Sequence, residues 1–244
     1  MGTVPAPVLL SAEMGDSGLD ITLLFSEAVQ DSGASSCLEL FEEGSCARFG
    51  SGPECTWISS RQLRVILGTG ATIMPRDTLV IRPEQFLAVR IPFHAAIPRT
   101  VKVAAPPNAA VPQVIVSVPG SVPICEAAVL DASASQGSGG RAFAVQWQLL
   151  AADRSAGSAL NASQTAPLAA MLAAAAAGLQ VELPPSVLAA GTTYRFSLTL
   201  TSFLGTSYTI GAGDAPVQFS VSAPAAPRVS IAGGTSVAQQ RSDA

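Results

Sequence analysis

The chain has little charge, few aromatic residues and no long apolar run. Of its 244 residues, 12% are charged and 5% are aromatic, and Lys+Arg number 13 against 17 Asp+Glu. Because there is no basic cluster and the net charge is −4, nucleic acid is not an expected partner. The most hydrophobic run, residues 168–179, is too short to cross a bilayer. We therefore expect no membrane insertion by this segment.

The residue patterns of common enzymes are also missing. His94 is the single histidine, and no nucleophile motif stands beside it, which argues against a Ser-His-Asp triad. Glu42 and Glu43 are adjacent, so on a strand they would point to opposite faces. The glycine-rich residues 137–140 are not followed by a phosphate-binding helix. We therefore expect no catalysis and no cofactor.

A metal site is not expected either. Zinc would need His94 and nearly all the cysteines, at the wrong spacing. A calcium loop is the alternative around Asp131, Ser133 and Ser135, whose side-chain oxygens alternate ahead of Gly137. Such loops need several carboxylates, and only one is present. We expect Asp131 to bond backbone amides in a turn instead.

The cysteines and one sequon favour an extracellular protein. Cys37, Cys46, Cys55 and Cys125 are even in number and form no Cys-x-x-Cys pair, which indicates disulfides. Four cysteines allow three pairings; we favour Cys37–Cys55 with Cys46–Cys125, and the alternative leaves Cys125 free. Asn161-Ala162-Ser163 is an N-glycosylation sequon.

The first half of the chain reads as short strands separated by turn residues. Residues 19–25 alternate apolar and polar side chains, as in a half-buried strand. The predicted strands are 7–12, 19–25, 37–41, 55–58, 62–67 and 78–81. This pattern predicts an antiparallel sandwich over residues 1–105.

A second series of strands follows the Pro/Ala-rich linker at 104–112. The predicted strands are 113–118, 124–130, 142–150, 179–183, 193–201 and 217–221. Residues 166–178 predict one short alanine-rich helix with Pro167 in its first turn, a disordered loop being the alternative. The fold class is therefore all-β, with two tandem antiparallel β-sandwiches, the second over residues 106–223.

An internal repeat suggests a longer array. The segment 112–116 (PQVIV), followed by Ser121-Val122, returns as 227–231 (PRVSI), followed by Ser236-Val237 at the same spacing. Residues 224–244 therefore predict the start of a further module or a linker. No signal peptide is recognisable at the N-terminus, which we expect of a segment from a larger protein.

The second sandwich resembles the REJ (receptor for egg jelly) and PKD-type modules of polycystin-like proteins. Four elements carry the resemblance over residues 112–222, namely Cys125 to Ser135, Gly139 to Trp147, Val181 to Gly191 and Tyr194 to Gly205. Its signature residues are Asp131, Ser133, Gly140, Arg141, Trp147, Tyr194 and Gly205. One departure is Val145, where an aromatic residue is usual.

The first sandwich resembles the Ig-like module that accompanies such regions in algal surface proteins. Residues 25–29, Cys37, 55–57 and 63–68 carry this resemblance. We expect Trp57 and Trp147 to pack in the cores beside a disulfide, and the Tyr194 hydroxyl to bond backbone. Arg141, after the glycines, is expected to pin a turn or to meet a glycan.

These resemblances imply a non-catalytic extracellular structural or adhesion segment of a polycystin-like or flagellar surface protein. The implied location is the cell or ciliary surface. The implied partners are neighbouring Ig-like and REJ modules, polycystin-type channel subunits or extracellular glycoproteins. Alternative functions are a carbohydrate- or glycoprotein-binding module, a subunit of a flagellar-hair-type fibre, and a secreted hydrolase built on His94.

Overall fold

The structure is a computed structural model that describes residues 7–29, 36–87, 100–155, 157–174, 178–211, 213 and 216–222. The chain is all-β, as predicted, and its buried apolar residues form two cores. One core takes residues between Leu9 and Val103, and the other takes residues between Val122 and Val221. We call these parts module 1 and module 2. His94, the second copy of the repeat and the predicted segment 224–244 lie outside the described residues.

The described residues of module 1 form six strands in one sheet, in the order β3-β4-β2-β1-β6-β5. The strands are β1 (Leu9–Met14), β2 (Asp20–Phe25), β3 (Glu54–Ser59), β4 (Gln62–Ile66), β5 (Thr78–Val80) and β6 (Thr100–Ala104). Ile21, Leu23 and Phe25 on β2 are buried because side chains of a strand alternate between its faces. Register pairs Ile21 with Val65 and Leu23 with Leu63, so these residues enter the same core.

The part of module 2 that the structure describes contains seven strands, with β11 at the centre of the larger sheet. The strands are β7 (Ser121–Pro123), β8 (Ala128–Asp131), β9 (Ala144–Arg154), β10 (Gln180–Leu183), β11 (Thr192–Thr201), β12 (Ser207–Ile210) and β13 (Val217–Ser222). Strand β9 pairs with β11 along its length, and β13 and β12 share the opposite edge of β11. Strands β8 and β10 form the second sheet.

One pair of strands in each module departs from the antiparallel prediction. Strand β1 runs parallel to β6, and β7 runs parallel to β13. In both modules the first strand pairs with the last, because most of the module serves as the long connection that a parallel pair needs.

Four predicted elements were wrong in type or extent. One is the predicted strand 124–130, because residues 124–127 lie outside any strand and β8 begins at Ala128. Residues 37–41 form helix α1 (Cys37–Leu40) rather than a strand, since the Ser36 hydroxyl oxygen accepts a hydrogen bond from the Leu38 N–H and caps a helix. Helix α2 (Glu43–Cys46) follows it. Residues 113–118 make only isolated bridges, at Gln113 and Ser117. Helix α3 (Ala162–Ala174) begins before the predicted start at residue 166.

The core of module 2 is built around stacked aromatic rings. Tyr194, Phe196 and Phe219 are buried, with ring centroids 5.6 Å apart for Tyr194–Phe219 and 5.7 Å for Phe196–Phe219. Trp147 is also buried, and its Nε1–H donates to the Gly178 carbonyl at 3.2 Å. In module 1, Trp57 is half-buried.

One of the two favoured disulfides is formed. Cys37–Cys55 joins α1 to β3 in module 1. The Cys46–Cys125 prediction was wrong, because Cys46 is a buried free thiol of module 1 and Cys125 is an exposed free thiol of module 2. Burial raises the pKa of the Cys46 thiol, and its Sγ lies 3.5 Å from the Cys37 carbonyl oxygen.

Tyr194 closes the turn that leads into β11. Its hydroxyl oxygen accepts a hydrogen bond from the Ala189 N–H at 2.8 Å, the contact of a tyrosine corner in a sandwich. Burial raises the pKa of Tyr194, and the bond from Ala189 partly opposes the rise. The folded state therefore holds the phenol proton more tightly than the unfolded chain does.

We predict that Tyr194→Phe lowers the free energy of unfolding by about 1–2 kcal/mol, because the Ala189 N–H loses its partner. Below pH about 10, the ordinary tyrosine pKa, the contribution of the phenol is fully present. It is lost as the pH rises through the higher pKa of the folded state. Urea unfolding at pH 7 and at increasing alkaline pH measures both effects.

The matched control for this substitution is Tyr208→Phe, because Tyr208 is 44% exposed. Tyr208→Phe is expected to leave the free energy of unfolding at pH 7 unchanged. It should still lose, at alkaline pH, the stability that the Tyr194 phenol contributes. Equal stability of Tyr194→Phe and Tyr208→Phe would contradict the assigned role of the hydroxyl.

Candidate functional site

The two modules meet in a joint made of five short segments, which we call the intermodule joint. Module 1 contributes a turn at 15–18 and a loop at 68–77, and module 2 contributes turns at 137–141 and 202–206. The linker 105–112 lies among them. No described strand crosses from one module to the other, so the joint holds the modules together through side chains and turn backbone.

Phe203 anchors the joint from the module 2 side. Together with Leu204 it lies in the turn between β11 and β12, yet both side chains pack against the core of module 1. Gly18 and Gly139 flank the ring: a Cβ on Gly18 would overlap Phe203 Cζ, and a Cβ on Gly139 would lie 2.6 Å from Phe203 Cε1. Both glycines have positive φ, +72° and +63°, which other residues rarely adopt. Only glycine fits at these two positions.

Arg141 crosses the joint beside Phe203, also from module 2 to module 1. Its guanidinium carbon lies 3.8 Å from the centroid of the Phe203 ring, a cation–π contact. One terminal nitrogen donates to the Ile73 carbonyl of module 1, and the other lies 2.9 Å from Met74 Sδ. A single side chain therefore binds the backbone of module 1 and covers the anchor of module 2.

The surroundings of Arg141 are partly desolvated. Burial lowers the pKa of Arg141, and the nearby Asp77 carboxylate opposes this shift. Asp77 also orders the loop, because its Oδ2 accepts from the Met74 N–H at 2.9 Å. Arg141 Nε is buried and has no hydrogen-bond partner among the described residues. Burial of a charged group with one unmet donor is costly, so the position is held by its other contacts.

The linker is bound on both sides. Asp16 of module 1 accepts from the Ala110 N–H at 2.8 Å through its carbonyl and from the Asn108 N–H at 3.2 Å through its Oδ1. On the other side, the Thr206 hydroxyl of module 2 donates to the Ala110 carbonyl at 2.7 Å. The Pro/Ala-rich segment that the sequence suggested as a linker is therefore an ordered part of the joint.

A cleft of about 260 Å³ opens beside the joint. It is lined by Leu19, Leu67, Gly68, Thr69, Ala71, Gly139, Gly140 and Arg141. Arg141 is the single charged side chain of this lining, so the cleft does not assemble a general acid with a general base. Among the described residues, no cluster of His, Cys, Asp and Glu is placed to hold a metal ion.

The other residues singled out from the sequence lie away from the joint or support its turns. Asp131 Oδ1 accepts from the Ser133 N–H at 2.8 Å, and the Ser133 hydroxyl and N–H hold the pKa of Asp131 below its usual range. Gly140 belongs to the joint turn, and Gly205 ends the turn that carries Phe203, with φ +85°. Asn161 is exposed at the start of α3.

Sequence reasoning missed Ile73, which accepts from Arg141, and Asp16, which accepts from the linker amides. Ile73 and Asp16 carry no motif, because one uses its backbone carbonyl and the other lies in an ordinary turn. A signal existed for Phe203: two consecutive large apolar residues at the tip of a turn between strands indicate that another surface covers them.

We predict that Gly139→Ala lowers the free energy of unfolding more than Gly157→Ala does. Both glycines have positive φ, +63° and +82°, but the added Cβ would meet Ser17 O at 2.7 Å in the first case and nothing within 4 Å in the second. Backbone strain costs about 1–2 kcal/mol at either position, and overpacking adds about 1–3 kcal/mol at Gly139.

Urea unfolding measures this difference, with Trp57 fluorescence reporting module 1 and Trp147 fluorescence reporting module 2 in single-tryptophan variants. Gly139→Ala is expected to shift the unfolding of both modules. An equal decrease in the free energy of unfolding for Gly139→Ala and Gly157→Ala would show that a side chain at residue 139 does not disturb the joint.

Neither a protein-family model nor a curated protein sequence matches the chain. Among solved structures, the N-terminal part of the bacterial S-layer protein SbsC matches with a TM-score of 0.31 and 13% identity, over 90% of this chain and 45% of that one. The Yersinia pseudotuberculosis adhesin InvE matches with a TM-score of 0.31 and 12% identity, over 87% of this chain and 58% of that one. The chain thus spans less than two thirds of either protein's length, and no family follows from similarity at this level.

Proposed function

We propose that the chain is a non-catalytic segment of an extracellular or cell-surface protein, with a structural or adhesive role. Its task is to hold successive β-sandwich modules at a fixed mutual orientation. The observation that carries this proposal is the intermodule joint, in which Arg141 and Phe203 of module 2 contact each other and both bind module 1.

The joint supports a spacer because motion between neighbouring domains is the ordinary expectation. Domains joined by a free Pro/Ala linker reorient unless their interface is substantial. Here Ala110 in the linker bonds to Asp16 on one side and Thr206 on the other. A fixed angle at each joint would give a tandem array a defined length and direction, as a surface stalk or scaffold requires.

The extracellular location is supported by the disulfide and by the surface composition. Disulfides such as Cys37–Cys55 persist in oxidising compartments, where each stabilises a small domain by about 2–4 kcal/mol. A charged fraction of 12% leaves the surface dependent on other sources of hydration. Among the described residues, no helix is long and apolar enough to span a membrane.

At a finer level, the parent protein would be a polycystin-like or flagellar surface protein with REJ/PKD-type modules. The resemblance over residues 112–222 supports this level, and its signature residues have defined structural positions here. Trp147 and Tyr194 are core residues of module 2, and Arg141 belongs to the joint. The proposed partners are neighbouring modules of the same chain, polycystin-type channel subunits or extracellular glycoproteins.

The alternative functions gain less support from the site. A carbohydrate-binding module would be favoured by an exposed tryptophan, but Trp147 is 4% exposed and Trp57 packs against Phe25 and Phe86, with ring centroids 6.0 and 6.1 Å away. A hydrolase would depend on His94, which lies outside the described residues.

Distance measurements across the joint test the proposal. Spin labels at Thr56→Cys in module 1 and Glu182→Cys in module 2, both exposed strand positions, in a Cys125→Ser background, are expected to give a narrow distance distribution. Arg141→Ala should broaden it, because the contacts with Ile73 and Phe203 are lost. Arg141→Lys should give an intermediate width, since lysine keeps the charge but lacks the planar fork.

The control is Arg195→Ala, which removes an arginine whose partner, Asp153, lies within module 2. It should leave the distribution narrow. A broad distribution in the parent chain, or an unchanged width in Arg141→Ala, argues against a fixed joint.

Antibody labelling of intact cells checks the compartment. A lack of labelling on intact cells that contain the protein would contradict the extracellular location.

A further inference from the structure

The start of helix α3 is capped by the asparagine of the sequon. Asn161 Oδ1 accepts hydrogen bonds from the Gln164 N–H at 3.0 Å and from the Ser163 hydroxyl at 2.9 Å. In return the Asn161 N–H donates to Gln164 Oε1 at 3.1 Å. This reciprocal pair is a capping box, in which the first and fourth residues satisfy each other's backbone donors.

The capping box uses the side-chain oxygen of Asn161 and leaves its nitrogen unused. Asn161 Nδ2 makes no hydrogen bond to the described residues, and the side chain is exposed. The nitrogen that an N-glycan modifies is therefore accessible in the folded chain, while the oxygen that fixes the helix start is not required for the modification.

Helix α3 and the segments that flank it in the sequence carry no charge. No charged residue stands between Arg154 and Glu182. Leu168 and Leu172 pack into the core of module 2, while the exposed positions of α3 are mostly alanine. An uncharged helix face covered by alanine favours association unless something else hydrates it.

We infer that Asn161 carries an N-linked glycan on Nδ2 and that this glycan hydrates the uncharged surface of α3. The inference rests on the proposed extracellular location, because only that route brings the chain to the transferring enzyme. In the reaction a bond forms between Nδ2 and the anomeric carbon of a lipid-diphosphate-linked oligosaccharide. The bond from that carbon to the phosphate oxygen breaks, the lipid diphosphate leaves, and one Nδ2 proton passes to a base of the enzyme.

The test is secretion of the full chain from a eukaryotic cell line, followed by mass measurement before and after treatment with a peptide N-glycosidase. The unsubstituted chain and Ser163→Thr, which keeps the sequon hydroxyl, are expected to lose mass on treatment. Ser163→Ala and Asn161→Asp are expected to show no change. Secreted, disulfide-bonded chain with an unmodified Asn161 would overturn the inference, while the distance measurement across the joint would still test the proposed function separately.

The hydrating role has its own readout. The glycosidase converts the modified Asn161 to aspartate, so the deglycosylated chain and secreted Asn161→Asp have the same covalent structure and should aggregate at the same concentration. The glycosylated chain is expected to remain monomeric at that concentration. The glycosylated and deglycosylated chains should unfold at the same thermal midpoint, since an aspartate oxygen also caps α3. Equal aggregation of the glycosylated and deglycosylated chains would overturn the hydrating role.

Discussion

The burial of one guanidinium between two modules is the interaction on which the arrangement depends. Removing part of Arg141 from water is unfavourable, as its lowered pKa indicates. Opposing this are a charge-assisted hydrogen bond to the Ile73 carbonyl, typically about 1.5–3 kcal/mol, and the cation–π contact with Phe203, about 0.5–2 kcal/mol. Because Nε has no described partner, the loss of either contact would leave more of the cost of burial unopposed. These contacts therefore favour the orientation of the modules in which both are made.

Different interactions stabilise the two modules. Module 1 closes α1 onto β3 with the Cys37–Cys55 disulfide. Module 2 lacks a disulfide among its described residues and relies on the stacked rings around Tyr194, whose hydroxyl fixes the turn before β11. The joint then adds Phe203 of module 2 to the core of module 1. Loss of the joint would therefore expose apolar surface as well as free the linker.

The sequence predicted the elements that show a local periodicity or a local bias in composition. The alternation in β2 and β11 placed these strands correctly, and the Pro/Ala segment marked where the modules meet. Strands that depend on distant contacts were not predicted. For example, β7 and β12 have only three and four residues, which is too few to show a periodic pattern. Residues 37–41 looked like a strand because a short apolar run fits either element. Arg141 was recognised as a turn residue, but its acceptor is a backbone carbonyl in another module, which no side-chain motif encodes.

The central claim is that the two modules move as one body. Residual dipolar couplings of backbone amides test it most directly, because each module reports its own alignment tensor in a weakly aligning medium. A shared tensor, with the same magnitude and axes for the strands of module 1 and those of module 2, is the result expected of a fixed joint. Two tensors that differ in magnitude or orientation would mean that the modules reorient independently, and the account of Arg141 and Phe203 as a rigid connection would then be wrong.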